Sequence, residues 1–287
     1  MPQNQTNRRV VFKLSDMGFS GFRDFGYYNY NSVEPELEVH SHQNVMEICY
    51  CLRGQQYYDL NGEMVKLKGN DILIVPANTN HSTGTYPEDI GALYWLQVIV
   101  DPKTTPLCHL SREHSKYLLT GLDKQSKRVF SGSRSLKATL LKLKNLLEQE
   151  LDTLGKLNVS QLLIQILLDT LLLAKNPQLI VPAERVIALE SYINENVNRM
   201  IYVDELANQV NLSTAYFKSW FKEKLGTSPR AYINRLKIEH AKTELLQAKS
   251  VTEVAYSLGF SSSQYFSTTF KKYVGKSPNT YRAEMSN

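Results

Sequence analysis

A chain of 287 residues, 42% hydrophobic and 21% charged, is long enough for two domains with separate cores. It carries no low-complexity tract, which excludes a fibrous or largely disordered protein. The formal net charge is only +5, but fourteen Lys and Arg face ten Asp and Glu from Glu184 onward, so most of the excess lies at the C-terminal end. A bias of that size suits nucleic acid and an ordinary solvated surface equally well. Met1–Asn7 is polar with no apolar signal-peptide core after it. The most apolar run, Leu162–Leu173, is interrupted by Gln165 and Asp169 and is too short to span a bilayer. The expectation is a soluble, cytoplasmic protein with no membrane partner. Cys49, Cys51 and Cys108 form no CxxC pair and fit free thiols in a reducing compartment.

Residues up to about 105 read as β. Strands are predicted at Val45–Arg53, Gln55–Leu60, Glu63–Leu67, Asp71–Val75 and Ala92–Val100. Asn61-Gly62 supplies the two positive-φ positions of a type I′ hairpin turn. Short strands separated by turn signals suggest a sandwich or barrel. Within this region His40-Ser41-His42, Glu47 and Gly54 have the spacing HxH(x)4E(x)6G, which resembles the first motif of the cupin β-barrels. A second motif is partly kept in Gly69, Pro76 and His81, with Asn78 and Thr85 where cupins usually have glycine and asparagine.

Residues two apart on a strand share a face, so His40 and His42 can converge on one point. With Glu47 and His81 they make a His3Glu set suited to a divalent transition metal with open positions. The alternative is a metal-free polar pocket in which His40, His42, Glu47 and His81 hydrogen-bond an organic effector. Tyr57, Tyr58 and Trp95 are candidates to stack on such a ligand, a sugar ring included, although aromatics in strands also serve as core.

Leu136, Leu140, Leu143, Leu147 and Leu151 fall on one stripe of a helix predicted over Ser135–Leu151. Gly155 is expected to end that segment, and Val159–Ala174 to form a second helix. These apolar faces need partners, which makes a homodimer an expectation. Asn176–Ala183, with two prolines, is the linker candidate.

The rest reads as helix and repeats itself. Leu206-Ala207, Val210, Asn211, Leu212 and Ser213 correspond to Val254-Ala255, Leu258, Gly259, Phe260 and Ser261. After a slip of one residue, Tyr216-Phe217, Phe221-Lys222, Gly226, Ser228-Pro229 and Tyr232 correspond to Tyr265-Phe266, Phe270-Lys271, Gly275, Ser277-Pro278 and Tyr281. Each copy reads as helix, tight turn, helix: a small alanine at the crossing, Asn211 or Gly259 in the turn, then Ser213 or Ser261 as N-cap. Ser261 with Gln264, and Ser250 with Glu253, fit capping boxes. A long helix over about 231–248 joins the copies.

Over roughly Ile193–Arg282 the chain resembles the AraC family of bacterial transcription regulators. The likeness rests on Tyr232 to Ile238, Ala241, Leu245-Leu246, and the stretch from Val254-Ala255 through Gly259-Phe260 and Tyr265-Phe266 to Phe270-Lys271. The resemblance implies recognition helices at Thr214–Leu225 and Ser262–Val274, placed in successive major grooves about 34 Å apart. It implies base contacts from Ala215, Lys218 and Ser219 in the first and Ser263, Gln264, Ser267 and Thr268 in the second. Ser219 and Thr268 stand where the family often has arginine, so readout shifts toward Lys218, Gln264 and DNA shape. Lys222, Lys271 and Lys272 suit phosphate.

The expected fold is α+β and multidomain: a cupin-like effector-binding barrel over 1–130, a helical dimerisation and linker region over 131–183, and an all-α domain with two helix-turn-helix units over 184–287. The expected function is a DNA-binding regulator, not an enzyme, responding to a small effector for which carbohydrate is the family's suggestion. RNA polymerase is a further partner that this role implies, and whether the protein is an activator or a repressor stays open. A metal cupin enzyme with a DNA-binding tail, and a constitutive DNA-binding protein with an inert barrel, are the rival readings.

Overall fold

A computed structural model describes residues 8–100, 106–125, 128–176, 184–247 and 249–285. The expected linker, Asn176 apart, lies outside the described residues, as does Met1–Asn7. The chain divides into two compact units with the main boundary at 180/181.

The first unit is built on antiparallel strands β1 (Arg8–Lys13), β2 (Phe22–Tyr30), β3 (Val45–Leu60), β4 (Glu63–Lys68), β5 (Asp71–Val75), β6 (His81–Ser82), β7 (Gly91–Ile99) and β8 (Val129–Ser131). The main path runs β1-β2-β7-β3-β5-β8, with β4 and β6 also paired to β3. Where two strands were expected across 45–60 there is one. A register shift between Cys51 and Arg53 bends it, so that its first half pairs with β5 and β7 and its second half with β4 and β6. A bulge redirects a strand from one layer to the next without ending it. The hairpin turn is as expected, with φ of 52° at Asn61 and 91° at Gly62.

Alternation along these strands separates two faces. One carries Phe25, Tyr27, Met46, Ile48, Tyr50, Ile72, Ile74, Tyr94 and Leu96, and packs on helices α1 (Arg112–Asp123), α2 (Arg134–Leu147) and α3 (Thr153–Lys175) in a single core. The predicted stripe of α2 is buried at Leu136, Leu140, Leu143 and Leu147. Gly155 does not break the chain as expected. It lies in the first turn of α3, its N–H donating to the N-cap side chain of Asp152. α3 is thus longer than its apolar run, and by length and composition alone could cross a membrane. Here Val159, Leu162, Leu163, Ile166, Leu167 and Leu171 are spent in the core of the unit.

The second unit contains α4 (Glu184–Glu195), α5 (Val203–Gln209), α6 (Thr214–Leu225), α7 (Pro229–Leu245), α8 (Val251–Ser257), α9 (Ser263–Val274) and α10 (Pro278–Met285). Each half has its own apolar cluster, one around Phe217 and Phe221, the other around Phe266 and Phe270. Ala207 and Ala255 are fully buried at the helix crossings. Asn211 and Gly259 hold the turns with φ of 54° and 62°, and Gly226 and Gly275 close the second helices in the left-handed region. The Ser250–Glu253 capping box forms. The Ser261–Gln264 box does not: the cap of α9 is Ser262, which accepts from the Tyr265 N–H. Ser261 is therefore the extra residue behind the slip in the repeat, and the true counterpart of Ser213 is Ser262.

Candidate functional site

The second face of the sheet forms a cavity of about 220 Å³. Its walls are alternate residues of four neighbouring strands: Arg9, Val11 and Lys13 on β1, Asp24 and Tyr28 on β2, Leu93, Trp95 and Gln97 on β7, and Glu47 on β3. Pairing sets them in rows, Val11–Gly26–Trp95–Cys49 in one and Lys13–Asp24 beside Gln97–Glu47 in the next. Gly26 is essential to the first row. A Cβ there would stand 2.1 Å from the nearest Trp95 ring atom, so only glycine lets the indole lie across β2.

Charge in the cavity is paired. The Arg9 guanidinium lies 4.7 Å above the Trp95 ring and bonds Glu88 at 2.6 Å. Lys13 donates to Asp24 Oδ2 at 2.9 Å, while the other Asp24 oxygen is buried with no hydrogen-bond partner among the described residues. An unmet buried carboxylate oxygen carries a desolvation penalty that a ligand hydroxyl or ammonium can relieve. Trp95 lines the cavity as expected, but Tyr57 does not. It stacks on Tyr86 at 4.1 Å, and its neighbour Tyr58 faces the cavity.

The four motif residues come together at one end. His40 and His42 lie on an extended segment that is no regular strand; a reciprocal backbone pair between His40 and His81 fixes it. The Nδ1 atoms of His40 and His81 face the carbonyls of Glu38 and Thr79 at 2.8 and 3.0 Å. Such carbonyls fix the tautomer that leaves Nε2 as a lone pair. Burial lowers the His81 pKa and keeps the ring neutral, and its Nε2 has no hydrogen-bond partner among the described residues. Burial would raise the Glu47 carboxyl, but hydrogen bonding with His42, Gln97 and Cys49 and the nearby His81 outweigh it, holding Glu47 at about 2. Glu47 is 3.5 Å from His42 Nε2 and 4.0 Å from His81 Nε2.

The donors fit the divalent metal that the cupin resemblance implies. Nitrogens of His40, His42 and His81 lie within 4.8 Å of one another, and the orphaned His81 Nε2 is a lone pair that a metal would satisfy. His40, His42 and His81, with Glu47, would hold it, and it would supply a Lewis-acidic contact to an effector oxygen. The Gln97 amide competes, since it bridges His42 Nε2 at 3.0 Å and Glu47 at 2.8 Å.

Sequence reasoning missed Arg9, Lys13, Asp24, Tyr28, Glu88 and Gln97. Arg9 and Lys13 on β1, and Asp24 and Tyr28 on β2, lie on one alternating face with Val11 and Gly26 between them, a pattern that usually marks a solvent face.

In the second unit the recognition helices have the predicted extents, apart from Ser262 as a cap. Ala215, Lys218, Ser219 and Lys222 are exposed along one face of α6, at i, i+3, i+4 and i+7, opposite buried Phe217, Trp220 and Phe221. Forty-nine positions later Gln264, Ser267, Thr268 and Lys271 repeat that face on α9, with Ser263 and Lys272 flanking it and Phe266, Thr269 and Phe270 buried. Spacing of this kind puts four side chains on one side of a helix.

Comparison with known proteins agrees with this architecture. The family model described as an AraC-like ligand binding domain matches residues 31–167, and that of a helix-turn-helix domain matches 206–284. The raffinose operon transcriptional regulatory protein RafR of Pediococcus pentosaceus is 37% identical over 93 residues, 32% of this chain and 34% of that protein. The uncharacterized HTH-type transcriptional regulator YobQ of Bacillus subtilis is 34% identical over 93 residues, 32% of this chain and 39% of its own length. The matches thus span little more than a third of either relative. A solved AraC-type regulator structure from Chromobacterium violaceum aligns at 28% identity over 36% of this chain and 94% of that one, with a TM-score of 0.34. The chain thus carries an AraC-like ligand-binding domain followed by an AraC-type helix-turn-helix domain, in the expected order.

Proposed function

We propose that the protein is a sequence-specific DNA-binding transcription regulator whose activity responds to a small molecule in the barrel cavity. The observation that carries this reading is the exposed recognition face used twice, 49 positions apart, on two helix-turn-helix units with separate cores. Ala215, Lys218, Ser219, Ser263, Gln264, Ser267 and Thr268 meet base edges, and Lys222, Lys271 and Lys272 meet phosphates. Lys218→Ala or Gln264→Ala is expected to relax base preference at its own half-site by about 1–3 kcal/mol in competition gel shifts. Lys222→Ala should instead weaken all sequences alike and lower the salt slope by about one. Unchanged preference in both base-contact variants would remove those assignments.

Carbohydrate is the effector class we favour. Trp95, Tyr28 and Tyr58 offer ring faces, and Asp24, Glu88, Arg9 and Gln97 can pair with hydroxyls. The similarity to a regulator of a raffinose operon supports the same class. Binding shifts the population of DNA-competent states, and no catalysis is required. The division into barrel (1–130), helical region (131–183) and DNA-binding domain (184–287) serves this scheme. Exposed Leu154, Leu157, Leu168 and Leu172 on α3 suit a homodimer, and RNA polymerase is the further partner that a cytoplasmic regulator of this kind would meet.

A metal-loaded pocket is the second reading, favoured by the orphaned His81 Nε2. It predicts near-stoichiometric cobalt or nickel uptake with ligand-field absorption, abolished in His42→Ala and His81→Ala. Equally low metal content in the parent and both variants leaves the metal-free pocket.

A further inference from the structure

The two helix-turn-helix units meet at a point that the recognition faces do not use. The long helix α7 contributes Ile233 to the first apolar cluster and Ile238, Ala241 and Leu245 to the second. Between them sits Lys237, a charged residue only 3% exposed. Its ammonium donates to three backbone carbonyls, Arg199 at 2.6 Å, Leu258 at 2.5 Å and Gly259 at 3.4 Å. An ammonium has three N–H donors, so all of them are met, as a buried cation requires.

The partners come from different units. Leu258 and Gly259 form the turn between α8 and α9. Arg199 lies in the entry to α5, where its guanidinium bonds Glu205 at 2.7 Å and Tyr192 at 2.9 Å, which fastens it to α5 and α4. A Cβ on Gly259 would lie 2.2 Å from the Arg199 carbonyl carbon and 2.5 Å from the Met200 nitrogen, so the second turn rests directly on the backbone that leads into the first helix-turn-helix. Burial, with the Arg199 guanidinium nearby, lowers Lys237 to about 8, and it still carries its proton at neutral pH.

A methionine or leucine would fill this volume with less desolvation cost, and α7 alone already joins the units. What only the ammonium adds is a fixed direction among three carbonyls. We propose that Lys237 is a positioning residue that sets the angle between the two recognition helices, and thereby the half-site spacing the protein accepts. This rests on the DNA-binding reading. Two helices aimed at successive major grooves tolerate little relative tilt.

The test uses the full chain and an operator selected from random duplexes by the parent protein. We expect the parent to lose about tenfold or more in affinity when one base pair is inserted between the half-sites. Lys237→Met should bind the unaltered operator about tenfold more weakly and lose less than about threefold on insertion, with half-site base preferences unchanged. Lys237→Arg, which keeps the charge, should retain much of the spacing preference. A parent-like insertion penalty in Lys237→Met would overturn the proposal.

A second measurement stands apart from DNA. Spin labels at Lys224→Cys and Asn279→Cys, in a Cys108→Ser background, should give a narrow distance distribution that broadens in Lys237→Met. An unchanged narrow distribution also overturns it. If Lys237→Met does not fold, Lys237→Gln takes its place in both experiments. Should the parent select no DNA sequence, the DNA-binding reading fails, while the labels still decide the role of Lys237.

Discussion

Phe217→Ala is expected to destabilise the C-terminal unit by about 3–5 kcal/mol, against roughly 5–15 kcal/mol for a typical domain. Phe217 is fully buried, with its ring 5.4 Å from Phe221 and 6.1 Å from Trp220. Removing it opens a cavity in a cluster too small to collapse around the loss. Phe266→Ala should cost a similar amount in the second repeat, where the ring packs 5.2 Å from Phe260 and 5.7 Å from Phe270. The barrel's cluster shares no residue with either, so its own unfolding transition should not move. The two tryptophans make this measurable by fluorescence in urea, since Trp220 reports the first repeat and Trp95 the barrel. A shift below about 1 kcal/mol in either variant would mean that these rings do not carry the cores.

Gly26→Ala should act on the effector cavity with comparable force. The new methyl would lie at 2.1, 2.3 and 2.7 Å from three atoms of the Trp95 indole, against about 3.5–4.0 Å for carbons in contact. The indole has to leave the wall, at a cost of about 1–3 kcal/mol, and takes the stacking surface with it. The expected result is a lower melting temperature and loss of any sugar-dependent thermal shift. Adding Trp95→Leu should restore much of the stability by relieving the collision, but not the response to sugar. A Gly26→Ala protein that still responds to sugar would show that the ligand does not use Trp95.

The C-terminal unit was legible in detail because its determinants are local. Caps, left-handed turn residues and i,i+4 phenylalanines act within a few positions, and duplication displays each of them twice. The one error, Ser261 taken as the cap, arose because three consecutive serines follow Phe260 and sequence alone does not say which one stops the extended chain. The barrel was legible only in part. The histidine cluster announced itself through spacing, and the Asn61-Gly62 turn through chemistry. The rest of the cavity depends on register between strands far apart in sequence. Arg9 and Tyr28, or Glu47 and Gln97, are neighbours only after pairing. Tyr57 and Tyr58 show the same limit, since one step along a strand exchanges cavity for exterior and nothing local decides between them.

The two recognition faces have a consequence for how such a protein can change over generations. Every position on α6 and α9 proposed to meet DNA lies away from the residues that hold its helix in place, and none of them belongs to either apolar cluster. Substitution there leaves the cores intact. Preference for one half-site can therefore drift independently of the other and of stability. New operators lie within a few surface substitutions of the old one, reached without passing through an unfolded ancestor.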